Sequence, residues 1–224
     1  MQKKTLNITN GDYFNEYFLS KFGGVAIPFC EAMMDGEASA DIYSAQFIAL
    51  RARALNVTED EYRTKMYARD YLNSGKYQTI CLWFGKDTFC QVNLLTLLAY
   101  LEQIAYVGEV KLNYIDDETF EVLESDIDVK LGAYGKIYED VLISRKTPHD
   151  VGVLNMRAIN LFFDYHSKNG ELANLALANA NKEKDELIRL LLEESREYGL
   201  SDLQAEKLID TITKDTKLNK IKSN

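Results

Sequence analysis

"CLWFGKDTFCQVNLLTLLAYLEQ", residues 81–103, decides how this chain folds. An apolar run with a Trp-Phe pair stops at Gly85, and a long apolar periodicity starts by residue 88. A change from strand-like to helix-like spacing across a glycine reads as a buried strand that turns directly into a helix. The strand is predicted over about 79–84 and the helix over 88–104, with Leu94, Leu97, Leu98, Leu101 and Ala105 on a wide apolar stripe. Lys86, Asp87 and Gln91 crowd the break between them, so the break is a place to look for a site.

The same alternation extends in both directions. "TLNITN" (5–10) is a short strand, and "DYFNEYFLSKF" (12–22) repeats Phe14, Phe18 and Phe22 on one helical face. Gly23-Gly24 stops that helix, and "VAIPF" (25–29) is a second strand. Pro28 cannot donate to a ladder, so this strand belongs at an edge. Residues 39–55 read as a helix, and Thr58 with Glu61 forms a capping box for the next. "EVKLNYI" (109–115) is a fourth strand.

Strand-helix alternation predicts an α/β fold: an open parallel sheet of about four strands with flanking helices, in the flavodoxin-like order 2-1-3-4. Beyond about residue 145 the patterns are helical, over 151–168, 171–198 and 201–214, with an interruption in the Ala/Asn-rich stretch 172–186. The expected division is an α/β domain, 1–145, and an all-helical C-terminal domain, 146–224.

Composition narrows the function classes. The chain is 46% hydrophobic and 27% charged, with a formal charge of −9. That balance suits a folded globular protein and opposes nucleic acid and anionic membranes. The N-terminus lacks an apolar core of signal-peptide length and no run reaches membrane-span length, so the expected location is cytoplasmic. Cys30, Cys81 and Cys90 include no CxxC pair, and with His149 and His166 they offer no Cys/His zinc spacing. No metal site and no cofactor is assigned from sequence. An oligomer is compatible with this composition.

In a parallel sheet, ligands bind beyond the carboxyl ends of the strands at the switch in strand order. There the sequence places Asn10-Gly11-Asp12, Cys30-Glu31 and Gly85-Lys86-Asp87. Three carboxylates follow three successive strands, a set suited to Mg²⁺, an amine, or acid–base work. Asp12 and Asp87 also open helices, where Asp is a favoured cap. Gln91 lies one turn beyond Asp87, with the crevice or a neighbouring loop in reach.

Other motifs carry less. "NGD" (10–12) lacks a following nucleophile, because Tyr13 comes next. "GAYGK" (132–136) has neither the spacing of a phosphate loop nor a clean strand before it, and no GxGxxG opens a helix. Cys90 sits in the first turn of a helix but between apolar neighbours, as a buried inert thiol does. "GLSDLQAEKLIDTI" (199–212) has the look of a helix-turn-helix, with tail lysines Lys214, Lys217, Lys220 and Lys222 for phosphates, although Asp202, Glu206 and Asp210 share its second helix.

The segments "LNITNGD", "FCEAMMDG" and "LWFGKDTFCQVNLLTLLAYL" resemble a bacterial family classed only as a domain of unknown function, the one numbered 1835. The matching positions are Gly11, Asp12, Glu31, Asp35, Gly36, Trp83, Phe84, Asp87 and Gln91. Tyr13 departs from the serine usual after Gly-Asp in that family, and the resemblance implies no settled activity. Some members carry a transcription-regulator label. The functional expectation is a protein that binds a small polar ligand, a nucleotide with Mg²⁺ among the candidates, through Asn10, Gly11, Asp12, Glu31, Asp87 and Gln91. The alternatives are an enzyme using these carboxylates in phosphoryl or glycosyl chemistry, and a DNA-associated regulator using residues 201–222.

Overall fold

The computed structural model describes residues 4–222, with side chains described through Ile212; the tail lysines of the helix-turn-helix reading have side chains outside that range. Five strands form one sheet in the order β2-β1-β3-β4-β5. They are β1 (Thr5–Asn10), β2 (Ala26–Phe29), β3 (Thr79–Phe84), β4 (Glu109–Ile115) and β5 (Val122–Asp128). The first four run parallel, and β5 returns antiparallel to β4 as a hairpin. The Pro28-containing strand lies at the edge, where its missing N–H costs no ladder bond.

Alternation within β3 decides which layer covers which face. Ile80, Leu82 and Phe84 are buried, while Thr79, Cys81 and Trp83 are only half-buried. The buried set faces α5 (Thr88–Gln103), whose residues are buried almost all round, from Cys90 to Leu101. Trp83 faces the other way. Its indole N–H donates to Asn7 Oδ1 at 3.0 Å, and its ring lies 5.1 Å from Phe18 of α1 (Asp12–Phe22). Trp83 is thus the seat for α1 and not a ligand platform.

The crossover from β2 to β3 carries α2 (Ala45–Leu55), α3 (Glu59–Lys65) and α4 (Ala68–Leu72). The capping box of Thr58 and Glu61 is formed, whereas α2 starts later than its apolar pattern suggests, because Ser44 caps it. Beyond β5 come α6 (Tyr134–Tyr138), a π-helical turn (Glu139–Ile143), α7 (Met156–Tyr165), α8 (Glu171–Ala178), α9 (Lys184–Glu194) and α10 (Asp202–Lys222). The predicted 171–198 helix breaks into α8, α9 and a short 3-10 turn. Leu187, Leu191, Tyr198 and Ala205 from this region join the strand residues in one continuous apolar core. No helix among the described residues is long and apolar enough to cross a membrane.

Candidate functional site

The carboxyl ends of β1, β3 and β4 open onto a cavity of about 610 Å³. Asn10, Asp87 and Cys90 line its floor, Asp116, Asp117 and Glu118 of the β4–β5 turn line one wall, and Arg196, Gly199 and Asp202 line the other. Five carboxylates therefore face one guanidinium, and that Arg196 is itself paired with Glu118 at 3.4 Å. Such a lining attracts cations and repels bare phosphates.

The opening glycine has a specific task here. A Cβ at Gly85 would lie 1.9 Å from Asp117 Oδ2, so the missing side chain leaves room for that carboxyl. Asp117 belongs to an exposed turn, yet its carboxyl folds down onto the β3–α5 junction. The turn is held by Asp116, whose side chain accepts from the backbone N–H of Thr119 at 2.8 Å and of Glu118 at 3.1 Å. Phe120 packs on Tyr17 and Phe14 and fixes the turn from its far side.

Asp87 caps α5, with Oδ1 accepting from Cys90 N–H at 3.0 Å. Its second oxygen, Oδ2, is buried and has no hydrogen-bond partner. Asp87, Cys90 and Asp117 bring one ligand atom each within 4.8 Å of one another. Withdrawal from water, then the adjacent Asp87 carboxylate, pushes the Asp117 carboxyl up to about 8. Burial, then these same two carboxylates, also raises the Cys90 thiol.

A chain of side-chain amides orients the sulfur. Asn93 Oδ1 accepts from Met33 N–H at 3.0 Å, which turns the Asn93 amide nitrogen toward Glu31 O (2.6 Å) and Asn10 Oδ1 (3.2 Å). Asn10 must then present its own NH₂ to Cys90 Sγ, 2.9 Å away. Cys90 in turn donates toward Asp117 Oδ1 at 3.4 Å.

Of the residues expected from sequence, Asn10 and Asp87 line this cavity. Gly11 supplies the backbone turn at positive φ between β1 and α1. Asp12, Glu31 and Gln91 are engaged elsewhere. Asp12 is exposed and bonds Lys65 and Cys30. Burial, followed by Asp12, pushes the Cys30 thiol up to about 12. Glu31 is buried against Arg51 at 3.1 Å, both side chains 0% exposed, and accepts from Tyr62 as well. Gln91 is also buried. Its amide donates to Gly85 O at 2.6 Å, and its carbonyl accepts from Asn155 N–H at 2.8 Å, so it ties the loop before α7 to the strand end.

The "GAYGK" segment is an anion cradle already filled from within: Glu102 accepts the backbone N–H groups of Gly132, Tyr134 and Gly135. Residues 199–212 pack against the rest of the fold. Ala205 and Ile209 are buried, and Gln204 bonds Asp35 at 3.1 Å. A second cavity, about 590 Å³, lies at the opposite end of the strands between Tyr77, Gln78, Ile104 and Tyr106, with Glu109 as its only charged residue.

Asp117, Asn93 and the C-terminal wall are not among the residues expected from sequence. The rule that picked the first three strand ends, applied to β4, would have reached Asp116-Asp117. No protein-family model, curated protein or solved structure matches this chain.

Proposed function

We propose that this protein binds a small polar cation, a divalent metal ion or an amine, in the cavity at the carboxyl ends of β1, β3 and β4. A nucleotide would enter as its Mg²⁺ complex, because the five surrounding carboxylates oppose free phosphate. The observation that carries the reading is Asp87 Oδ2, a buried carboxylate oxygen that no N–H group reaches, beside the Asp117 carboxyl. Two buried carboxyls this close repel unless a proton or a cation lies between them, and the open cavity admits a cation. The strand order supports it too, since the cavity opens between β1 and β3, where the order reverses.

A carboxylate-dependent enzyme is the second reading, favoured by the same pair. Acid–base or metal-assisted phosphoryl chemistry fits two carboxyls in near contact. Glycosyl transfer does not, because its carboxyls stand about 5 Å or more apart and these ligand atoms lie within 4.8 Å. In the fuller form of this reading, the fold is the flavodoxin-like arrangement carrying a helical C-terminal region, working in the cytoplasm.

The test is thermal unfolding with Mg²⁺, Mn²⁺, Zn²⁺, Co²⁺, putrescine or Mg·ATP as probes. At least one should stabilise the wild type, by about 2.7 kcal/mol at a hundredfold excess over Kd. Asp87→Asn keeps the cap, since Asn caps about as well as Asp. It should therefore unfold near the wild-type temperature but lose the response. No response from the wild type to any probe, or an undiminished response in Asp87→Asn, would overturn the reading.

A further inference from the structure

The ligand atoms in this cavity are not all oxygens. Cys90 is buried at the base of the carboxylate pair, and its sulfur lies 3.4 Å from Asp117 Oδ1. In a tetrahedral metal site, bonds of about 2.3 Å to sulfur and about 2.0 Å to oxygen place those two atoms roughly 3.5 Å apart. The spacing already present therefore suits one ion bound by both.

The environment of the sulfur is a second and independent observation. The Asn10–Asn93 chain leaves Asn10 no orientation other than NH₂ toward Sγ, at 2.9 Å. A fixed N–H donor aimed at a sulfur stabilises negative charge on it. Metal-bound ligands are commonly held this way by hydrogen-bonding partners. Asp87 offers a third atom, its buried and unpartnered Oδ2.

We infer that Asp87, Cys90 and Asp117 form a binding site for a borderline-soft divalent transition metal, of the Zn²⁺ or Co²⁺ class, in preference to Mg²⁺. The inference rests on the reading above that the cavity takes a cation, and adds which cation. Mg²⁺ demands six oxygens in near-ideal octahedral geometry and rarely accepts sulfur, whereas thiolate with carboxylate suits Zn²⁺. On binding, the Cys90 S–H bond breaks heterolytically. The proton leaves to solvent, the electron pair stays on sulfur, and a metal–sulfur bond forms; nothing is oxidised or reduced. Three protein ligands leave a further coordination position for water or for an oxygen of a bound molecule. Asn10 is a positioning residue that acts through the sulfur.

Co²⁺ is the probe, because cobalt–thiolate coordination gives a sulfur-to-metal charge-transfer band in the near ultraviolet. Tetrahedral Co²⁺ also gives intense visible bands. The intact protein, reduced and stripped with chelator, should develop both on titration with Co²⁺, and Zn²⁺ but not Mg²⁺ should abolish them. Cys90→Ser should lose the charge-transfer band. Asn10→Ala should keep the band and weaken Co²⁺ binding by about 10- to 100-fold.

Co²⁺ binding without a sulfur band in the wild type would overturn the inference while leaving the cation reading intact. Binding of putrescine alone would do the same. Binding of no probe at all would remove both. The wild-type spectrum decides the matter even if Cys90→Ser fails to fold.

Discussion

The carboxyl of Asp117 occupies the space that a side chain at position 85 would need, with Oδ2 only 1.9 Å from where a Gly85 Cβ would stand. Two residues 32 positions apart are thus coupled by exclusion. The glycine at the end of β3 is required by a turn that follows β4, and not by its own backbone conformation, since Gly85 is outside the positive-φ set.

Gly85→Ala should therefore leave the sheet intact and push the Asp117 carboxyl off the strand end. The expected result is a small change in melting temperature together with loss of cation-induced stabilisation. An unchanged response would mean that the carboxyl is not needed where it lies.

Gln91→Ala should behave in the opposite way. It removes the partners of Gly85 O and Asn155 N–H, both at a buried junction. Each orphaned group costs roughly 1–3 kcal/mol, so urea unfolding should show a loss of roughly 2–6 kcal/mol. A near-neutral result would return Gln91 to the list of ligand-binding residues.

Glu102→Ala empties the cradle made by Gly132, Tyr134 and Gly135. Three N–H groups lose their acceptor, and a loss of at least about 2 kcal/mol is expected. Added sulfate should recover part of that stability in the variant and none in the wild type, because an anion can replace the carboxylate. Equal effects of sulfate on both proteins would count against the cradle.

His166 gives a pH dependence of definite sign. Burial of its ring, then the Arg145 guanidinium, lowers it to about 4, with Lys207 acting in the same direction. Asp35 and the Met34 carbonyl act against them. The unfolded chain takes up this proton near 6.5 and the folded protein only near 4, so the contribution of His166 is present above 6.5 and is lost as pH falls toward 4. Proton NMR of the imidazole should show a midpoint near 4, and Arg145→Ala should raise it. A midpoint near 6.5 in the wild type would refute the packing around this ring.

Residues 81–103 were legible because the buried face of β3 and the burial all round α5 leave an apolar signal that local spacing reveals. The edge place of the Pro28 strand and the cap at Thr58 were legible for the same local reason. β5 was not, since nearly every residue from Val122 to Asp128 is exposed and no apolar face marks it. Glu31 read as a free acid because its partner Arg51 lies 20 residues on, inside a helix whose pattern gives no hint of a buried charge. Asp117 meets Asp87 only after the β4–β5 hairpin has closed, and no spacing along the chain records that event.

That hairpin also limits how the protein can associate with itself. β5 offers solvent an unpaired edge, the usual template on which sheets of neighbouring molecules polymerise. Here Asp126 takes a positive φ of 58° within the strand, which breaks the flat run of amides. Charged groups also crowd this edge: Asp126, and Glu124 and Asp128 in their ion pairs with Lys86 and Lys111. A strand invisible to pattern reading, because it lacks an apolar face, is by the same token a poor seed for fibrils.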